Sequence, residues 1–185
     1  MNSSLKVVMG GLAGLALTAC ATSAVPEDVV ADDGISDADV VAAQIEWGNG
    51  IVAIASVHTA DGDYAARATE HINTLYAYGD TAVMFKPTLA AEDQFRETFD
   101  EALSYFIGTE GSEDSGFAIK GVTIVRWESN GIYADGDSAI AMGNYYFTGP
   151  DGNETKVEYT FGYVLDDAGA LKINLHHSSL PYSAG

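Results

Sequence analysis

In the C-terminal third of the sequence, apolar residues recur at every second position, which is the period of a half-buried β-strand. The pattern predicts four strands, over 117–132, 138–148, 155–165 and 171–179. Turn sequences rich in Gly and Asp join them, so we expect an antiparallel meander. In the third strand, the residues expected on the buried face are Val157, Tyr159, Phe161, Tyr163 and Leu165.

Before the meander, apolar residues recur at helical spacing and predict three helices. The first begins at a capping pattern in Ser36–Asp39 and runs towards His58. The second spans Tyr64 to about Tyr78, and the third spans 89–107 with Thr88 as its N-cap. A short strand over 82–86 lies between the last two helices. Helices followed by a meander predict an α+β domain in which the helices gather on one face of a curved antiparallel sheet.

The last predicted strand carries the candidate chemistry. Its odd-numbered positions from 171 to 175 are apolar, and continuing that alternation places His177 and Ser179 on the buried face. His176 and Ser178 then fall on the opposite face. A strand that is apolar at three inward positions and then presents an imidazole and a hydroxyl is typical of a pocket wall. The alternative is that both groups satisfy backbone partners at a strand end.

The outer face of the predicted sheet is also apolar in its first two strands. In the second strand, Ile140 and Met142 lie on the face opposite Ala139, Ala141 and Tyr145. Because the three helices cover only one face, a second copy of the chain is the expected cover for the other. The sequence therefore predicts a homodimer that forms through the sheet.

The first residues are typical of an export signal, with Lys6 followed by an apolar run that is too short to span a membrane. The segment Leu17–Cys20 resembles the lipobox of bacterial lipoproteins, which implies lipidation at Cys20; the alternative is an ordinary cleaved signal. We expect a signal peptide over 1–19, an acidic tether over 20–36 and one domain over 37–185. The expected location is the periplasmic face of a bacterial membrane.

Composition excludes several classes of function. The chain has 27 acidic against 8 basic residues and a net charge of −19, so a nucleic-acid partner is not expected. It lacks a phosphate-binding Gly-rich loop, a Gly-x-Ser-x-Gly nucleophile motif and paired cysteines at zinc spacing. A three-histidine zinc site remains open, but it requires His58 and His71 to converge on the histidine pair of the last strand.

Three motifs, Phe85–Thr88, Gln94–Arg96 and His176–Pro181, together resemble the iota-class carbonic anhydrases. The resemblance covers about residues 62–182. It implies a nuclear transport factor two-like cone fold, a homodimer, and the interconversion of carbon dioxide and bicarbonate. The class has been described both as metal-dependent and as metal-free. We expect no cofactor, with zinc or manganese as the alternative.

Matched motif by motif, the resemblance implies that Thr88, Tyr105 and Ser179 hold bicarbonate, with His177 beside the serine. Tyr76 or Tyr78 are alternatives to Tyr105. An apolar pocket admits carbon dioxide, hydroxyl donors stabilise the developing negative charge, and His177 orients the water or accepts its proton. Two other functions stay open: a cone-fold isomerase or cyclase, and a non-catalytic ligand-binding or dimerisation module.

Overall fold

The computed structural model describes residues 34–184, so the predicted signal peptide, Cys20 and most of the tether lie outside the described residues. Five strands form one sheet in the order β1-β5-β4-β3-β2, with β1 parallel to β5 and the other pairs antiparallel. The prediction of an α+β fold with three helices packed on a sheet is confirmed. The elements are α1 (Asp37–Thr59), α2 (Tyr64–Leu75), β1 (Met84–Lys86), α3 (Phe99–Ile107), β2 (Ile124–Asp135), β3 (Ser138–Thr148), β4 (Glu154–Leu165) and β5 (Leu171–Ser179).

Helix α1 begins at the predicted capping box. The Ser36 side chain accepts a hydrogen bond from the Asp39 amide, and the Asp39 carboxylate accepts one from the Ser36 amide. By length and composition α1 is apolar enough to cross a membrane, but half of its apolar window is buried inside this domain. It packs against β2 and α2, so we interpret it as the core helix.

Trp47 of α1 lies at the centre of the hydrophobic core and is almost completely buried. Gly48 lets the helix approach the sheet, because a β-carbon there would lie 3.0 Å from the Val125 Cβ. The indole is surrounded by rings from the sheet, the helices and the 3₁₀ turn over 117–119. Those with centroids within 6.3 Å of it are His71, Phe117, Trp127, Tyr145, Phe147, Phe161 and His176.

Helix α3 is much shorter than the predicted 89–107 helix. Thr98, not Thr88, is its N-cap, and it forms a capping box with Glu101. The preceding segment is held out of helical form because the Arg96 amide donates to the Phe85 carbonyl and the Tyr78 hydroxyl donates to the Arg96 carbonyl. Thr88 is therefore free of a capping role and lies in the loop after β1.

A β-bulge in β5 reverses the alternation of buried and exposed side chains that the sequence pattern predicts for this strand. Ile173 pairs with Tyr163, but Leu175 pairs with Gly162, so Asn174 is an extra residue in β5. Ile173 is buried on the odd-numbered side, whereas beyond the bulge the buried residues are His176 and Ser178. The prediction that His177 and Ser179 lie on the buried face is wrong. His177 is exposed, and the partly exposed Ser179 donates to Glu158 at 3.2 Å.

Candidate active site

A cavity of about 300 Å³ opens between the sheet, α3 and the loop after β1. Its walls are mainly aromatic and aliphatic, and residues with hydroxyl groups from five separate segments line it. These are Thr88 from the loop, Tyr105 from α3, Tyr145 from β3, Thr155 from β4 and Ser178 from β5. Lys120, Asp151 and Asn153, which are all exposed, also line it. The arrangement suits a small electrophile whose oxygens gain negative charge.

Thr88 and Ser178 meet directly inside this cavity. The Thr88 hydroxyl donates to the Ser178 oxygen at 2.9 Å, and Ser178 is only 4% exposed. Strand pairing brings them together, since β1 runs parallel to β5 with Lys86 opposite His177. The loop that follows β1 therefore ends beside the serine.

His176 lies flat between two phenylalanine rings. Its centroid is 4.1 Å from Phe161 and 4.6 Å from Phe85, with interplanar angles of 24° and 11°. Its Nδ1 is 2.8 Å from the Tyr76 hydroxyl and its Nε2 is 3.3 Å from the Tyr145 hydroxyl. Burial lowers the pKa of His176 well below its usual value, and the nearby His177 and His71 lower it further. The imidazole is therefore neutral.

Tyr105 is 6% exposed, and its ring packs edge-on against Phe85 at 5.7 Å. Burial raises the pKa of Tyr105 to about 12. The phenol therefore stays protonated at neutral pH. The protonated phenol can donate a hydrogen bond to a ligand.

A buried arginine holds the loop that carries Thr88. The Arg96 side chain is 3% exposed, and it donates to Asp114 at 2.6 Å and to the Asp93 carbonyl at 2.6 Å. Asp114 also accepts a hydrogen bond from Ser104 of α3. Since the guanidinium lies 5.9 Å from the Tyr105 ring centroid, one ion pair positions both the loop and the tyrosine.

Of the four predicted site residues, Thr88 and Tyr105 line the cavity, whereas His177 and Ser179 do not; their neighbours His176 and Ser178 line it. Two further residues that line the cavity, Tyr145 and Trp47, were not predicted from the sequence as site residues. Gly162 was the sequence signal from which the change of buried face in β5 could have been predicted, because a glycine inside a strand often marks a bulge or a close backbone approach.

The alternative three-histidine metal site is not formed by residues 34–184. His58 packs edge-on against Tyr64 near the end of α1, whereas His71 is buried in the core beside Trp47. Within this part of the chain, no three His, Cys, Asp or Glu side chains are grouped as metal ligands.

Comparison with known proteins shows which family the chain belongs to. The metal-independent carbonic anhydrase family matches residues 38–180. The metal-independent carbonic anhydrase of Nostoc sp. strain PCC 7120 is 39% identical over 167 residues, covering 88% of this chain and 81% of that protein. A cyanobacterial iota-carbonic anhydrase solved with bicarbonate is 38% identical with a TM-score of 0.79, covering 82% of this chain and 96% of that one. This chain therefore belongs to the family of metal-independent carbonic anhydrases, which interconvert carbon dioxide and bicarbonate without a metal cofactor.

Proposed function

We propose that this cavity is the catalytic site for carbon dioxide hydration, with Thr88, Tyr105 and Ser178 as the groups that contact substrate. The observation that carries the proposal is that Thr88, Tyr105 and Ser178, which come from three separate elements, line one mainly apolar cavity. The cavity takes up carbon dioxide because the molecule is small and apolar. The hydroxyl groups then contact the negatively charged product, bicarbonate.

Attack of water on carbon dioxide places negative charge on the substrate oxygens, and fixed donors stabilise that charge. Ser178 accepts from Thr88, which leaves the serine proton for substrate. Tyr105 stays protonated at neutral pH and offers its phenol proton in the same way. Donors that are already oriented need no rearrangement as the charge develops. They therefore stabilise the transition state more than they stabilise the uncharged substrate.

The proton released by the attacking water passes to solvent or buffer at the cavity mouth. His177, the base predicted from the sequence, is exposed outside the cavity, and both ring nitrogens of His176 already have partners. The carboxylate of Asp151 accepts from the Asn153 amide at 3.1 Å and from its side chain at 2.6 Å. These bonds lower the pKa of Asp151 and make it a poor base.

The test is the rate of carbon dioxide hydration in stopped flow for Thr88→Val and Tyr105→Phe. Each change removes one hydroxyl with little change of shape, and we expect kcat/KM to fall roughly tenfold to hundredfold. Thr81→Val and Tyr182→Phe are matched controls at exposed positions and should keep the wild-type rate. Wild-type rates in both Thr88→Val and Tyr105→Phe would contradict the proposal.

We also propose that the enzyme is a homodimer through the outer face of its sheet. Support comes from Ile124 of β2 and from Ile140 and Met142 of β3, each more than half exposed. In sedimentation velocity, Met142→Glu should lower the sedimentation coefficient from a dimer to a monomer value. Val41→Glu, on the exposed side of α1, should not. A monomeric wild-type protein would overturn this proposal.

A third proposal is that the chain is a lipoprotein anchored at Cys20 on the periplasmic face of a bacterial membrane. It is supported by the lipobox-like Leu17–Cys20 alone. Fractionation of bacteria that express the full chain should recover wild type with membranes and Cys20→Ser in a soluble or unprocessed form. Recovery of both proteins in the same soluble fraction would contradict lipidation.

A further inference from the structure

Behind the cavity, three hydrogen bonds link Trp47 of α1 to Tyr145 of β3. The Trp47 Nε1 donates to the Tyr76 oxygen at 2.9 Å, and the Tyr76 hydroxyl is 2.8 Å from the His176 Nδ1. On the other side of the imidazole, the His176 Nε2 is 3.3 Å from the Tyr145 hydroxyl. We call Trp47, Tyr76, His176 and Tyr145 the buried network, since each of them is at most 2% exposed.

The indole sets the direction of this network because it can only donate. The Tyr76 oxygen accepts from Trp47, so its own proton needs an acceptor. Within residues 34–184, the His176 Nδ1 is the other hydrogen-bond partner of the Tyr76 hydroxyl. If Nδ1 carried the proton instead, the buried Tyr76 proton would have no acceptor in this part of the chain, which is unfavourable.

The imidazole carries this direction onward to Tyr145. A neutral histidine has one donor and one acceptor nitrogen, so an accepting Nδ1 requires the proton to be on Nε2. The Nε2 therefore donates to the Tyr145 oxygen. The rings of Phe85 and Phe161, stacked on either side, hold the plane of the imidazole in which both hydrogen bonds lie.

Tyr145 is the last residue of the network, and it lines the cavity together with His176. Burial raises the pKa of Tyr145, so the phenol keeps its proton at neutral pH. Its oxygen accepts from Nε2, and no group in the described part of the chain accepts its proton. Because a buried hydroxyl proton without an acceptor is unfavourable, an oxygen atom of a ligand in the cavity is the partner that this arrangement calls for.

The tautomer of His176 decides what Tyr145 presents to such a ligand. With the proton on Nε2, Tyr145 presents its own proton, which stabilises negative charge on a substrate oxygen. With the proton on Nδ1, the Tyr145 proton would be used on Nε2, and a lone pair that repels the same oxygen would face the cavity. The network therefore selects the arrangement that suits the hydration of carbon dioxide.

We propose that Tyr145 is a further catalytic residue that donates a hydrogen bond to a substrate oxygen during carbon dioxide hydration. Trp47 and Tyr76 are positioning residues that direct its proton by holding His176 as the Nε2–H tautomer. His176 is a fixed donor within the network and not the base of the reaction. This inference rests on the proposed function of the cavity, and the two fail in distinguishable ways.

The first test is stopped-flow hydration of carbon dioxide by Tyr145→Phe, which keeps the ring beside Trp47 and removes only the hydroxyl. We expect kcat/KM to fall roughly tenfold to hundredfold. Tyr163→Phe is the matched control and should keep the wild-type rate, since this buried hydroxyl has no hydrogen-bond partner within residues 34–184 and does not line the cavity. A wild-type rate in Tyr145→Phe beside a reduced rate in Thr88→Val would overturn the inference alone. Wild-type rates in both would overturn the proposed function as well.

The second test measures the tautomer in the full chain labelled with ¹⁵N-histidine, with His176 assigned through the backbone of β5. Long-range ¹H–¹⁵N correlations should show a protonated Nε2 and an unprotonated Nδ1 in wild type and in Tyr163→Phe. In Tyr76→Phe we expect a mixture of tautomers and a smaller loss of kcat/KM than in Tyr145→Phe. An unchanged tautomer in Tyr76→Phe would overturn the positioning role. A proton on Nδ1 in wild type would overturn the whole inference, and that measurement needs no variant.

Discussion

Gly162 of β4 lies directly opposite Leu175 of β5, at the point where β5 contains an extra residue. A β-carbon on Gly162 would lie 2.8 Å from the Leu175 Cβ and 3.0 Å from the Asn174 Oδ1. The missing side chain therefore leaves room for the bulge. Because side chains alternate along a strand, this one extra residue decides that His176 and Ser178 face the cavity.

Replacing Gly162 should damage both stability and activity. We expect Gly162→Ala to lower the free energy of unfolding by about 1–3 kcal/mol, because the added methyl group overpacks the bulge. Gly131→Ala is the control, since it lies in β2 with open space around the added carbon and should change stability by less than about 0.5 kcal/mol. Urea titrations of both variants measure the difference. Equal stabilities would contradict the role given to Gly162.

The bulge also explains which parts of the structure were predictable from the sequence. β3 and β5 match their predicted ranges, because turn residues and a two-residue period specify strands locally. Which side chains of β5 are buried beyond Asn174 depends on how β5 pairs with β4. The pattern of apolar residues within one strand carries no information about that pairing. For the same reason, the α3 boundary was wrong: the buried contacts of Arg96 with Asp114 and Phe85 come from distant segments.

The Arg96 ion pair is expected to be essential for the loop that carries Thr88. Arg96→Gln leaves the Asp114 carboxylate, only 5% exposed, without its charged partner, and we expect a loss of about 3–5 kcal/mol in the free energy of unfolding. Arg126→Gln removes a half-exposed pair with Glu154 and should change the free energy of unfolding very little. Chemical denaturation compares the two. Similar losses would show that the buried pair has no special role.

Acid should destabilise the fold through His71. Burial, together with the nearby Arg67, lowers the pKa of His71 to about 3, against about 6.5 in the unfolded chain. Between these values the unfolded state binds a proton that the folded state does not. The contribution of neutral His71 to the free energy of unfolding is therefore complete above about pH 6.5. It is lost as the pH falls, by up to about 1.4 kcal/mol per pH unit. Buried His176 acts in the same direction.

The measurement is the free energy of unfolding between pH 7 and pH 4.5 for wild type, His71→Gln and His177→Gln. The His71 variant should lose part of the pH dependence, whereas the exposed His177 variant should keep the wild-type slope. The same slope in all three proteins would place the acid sensitivity elsewhere.

Removal of metal ions should not change the activity, since the family is metal-independent. We expect equal hydration rates before and after prolonged dialysis against a strong chelator, with the metal content verified by mass spectrometry. A loss of activity that zinc or manganese restores would contradict this expectation.

The most direct test of the site compares Ser178→Ala with Ser179→Ala in stopped-flow hydration of carbon dioxide by the full chain. Neighbouring serines on one strand make a matched pair, because both changes remove one hydroxyl and only one of them faces the cavity. We predict that Ser178→Ala loses roughly tenfold to hundredfold in kcat/KM and that Ser179→Ala keeps the wild-type value. Loss of activity in Ser179→Ala with full activity in Ser178→Ala would contradict the account.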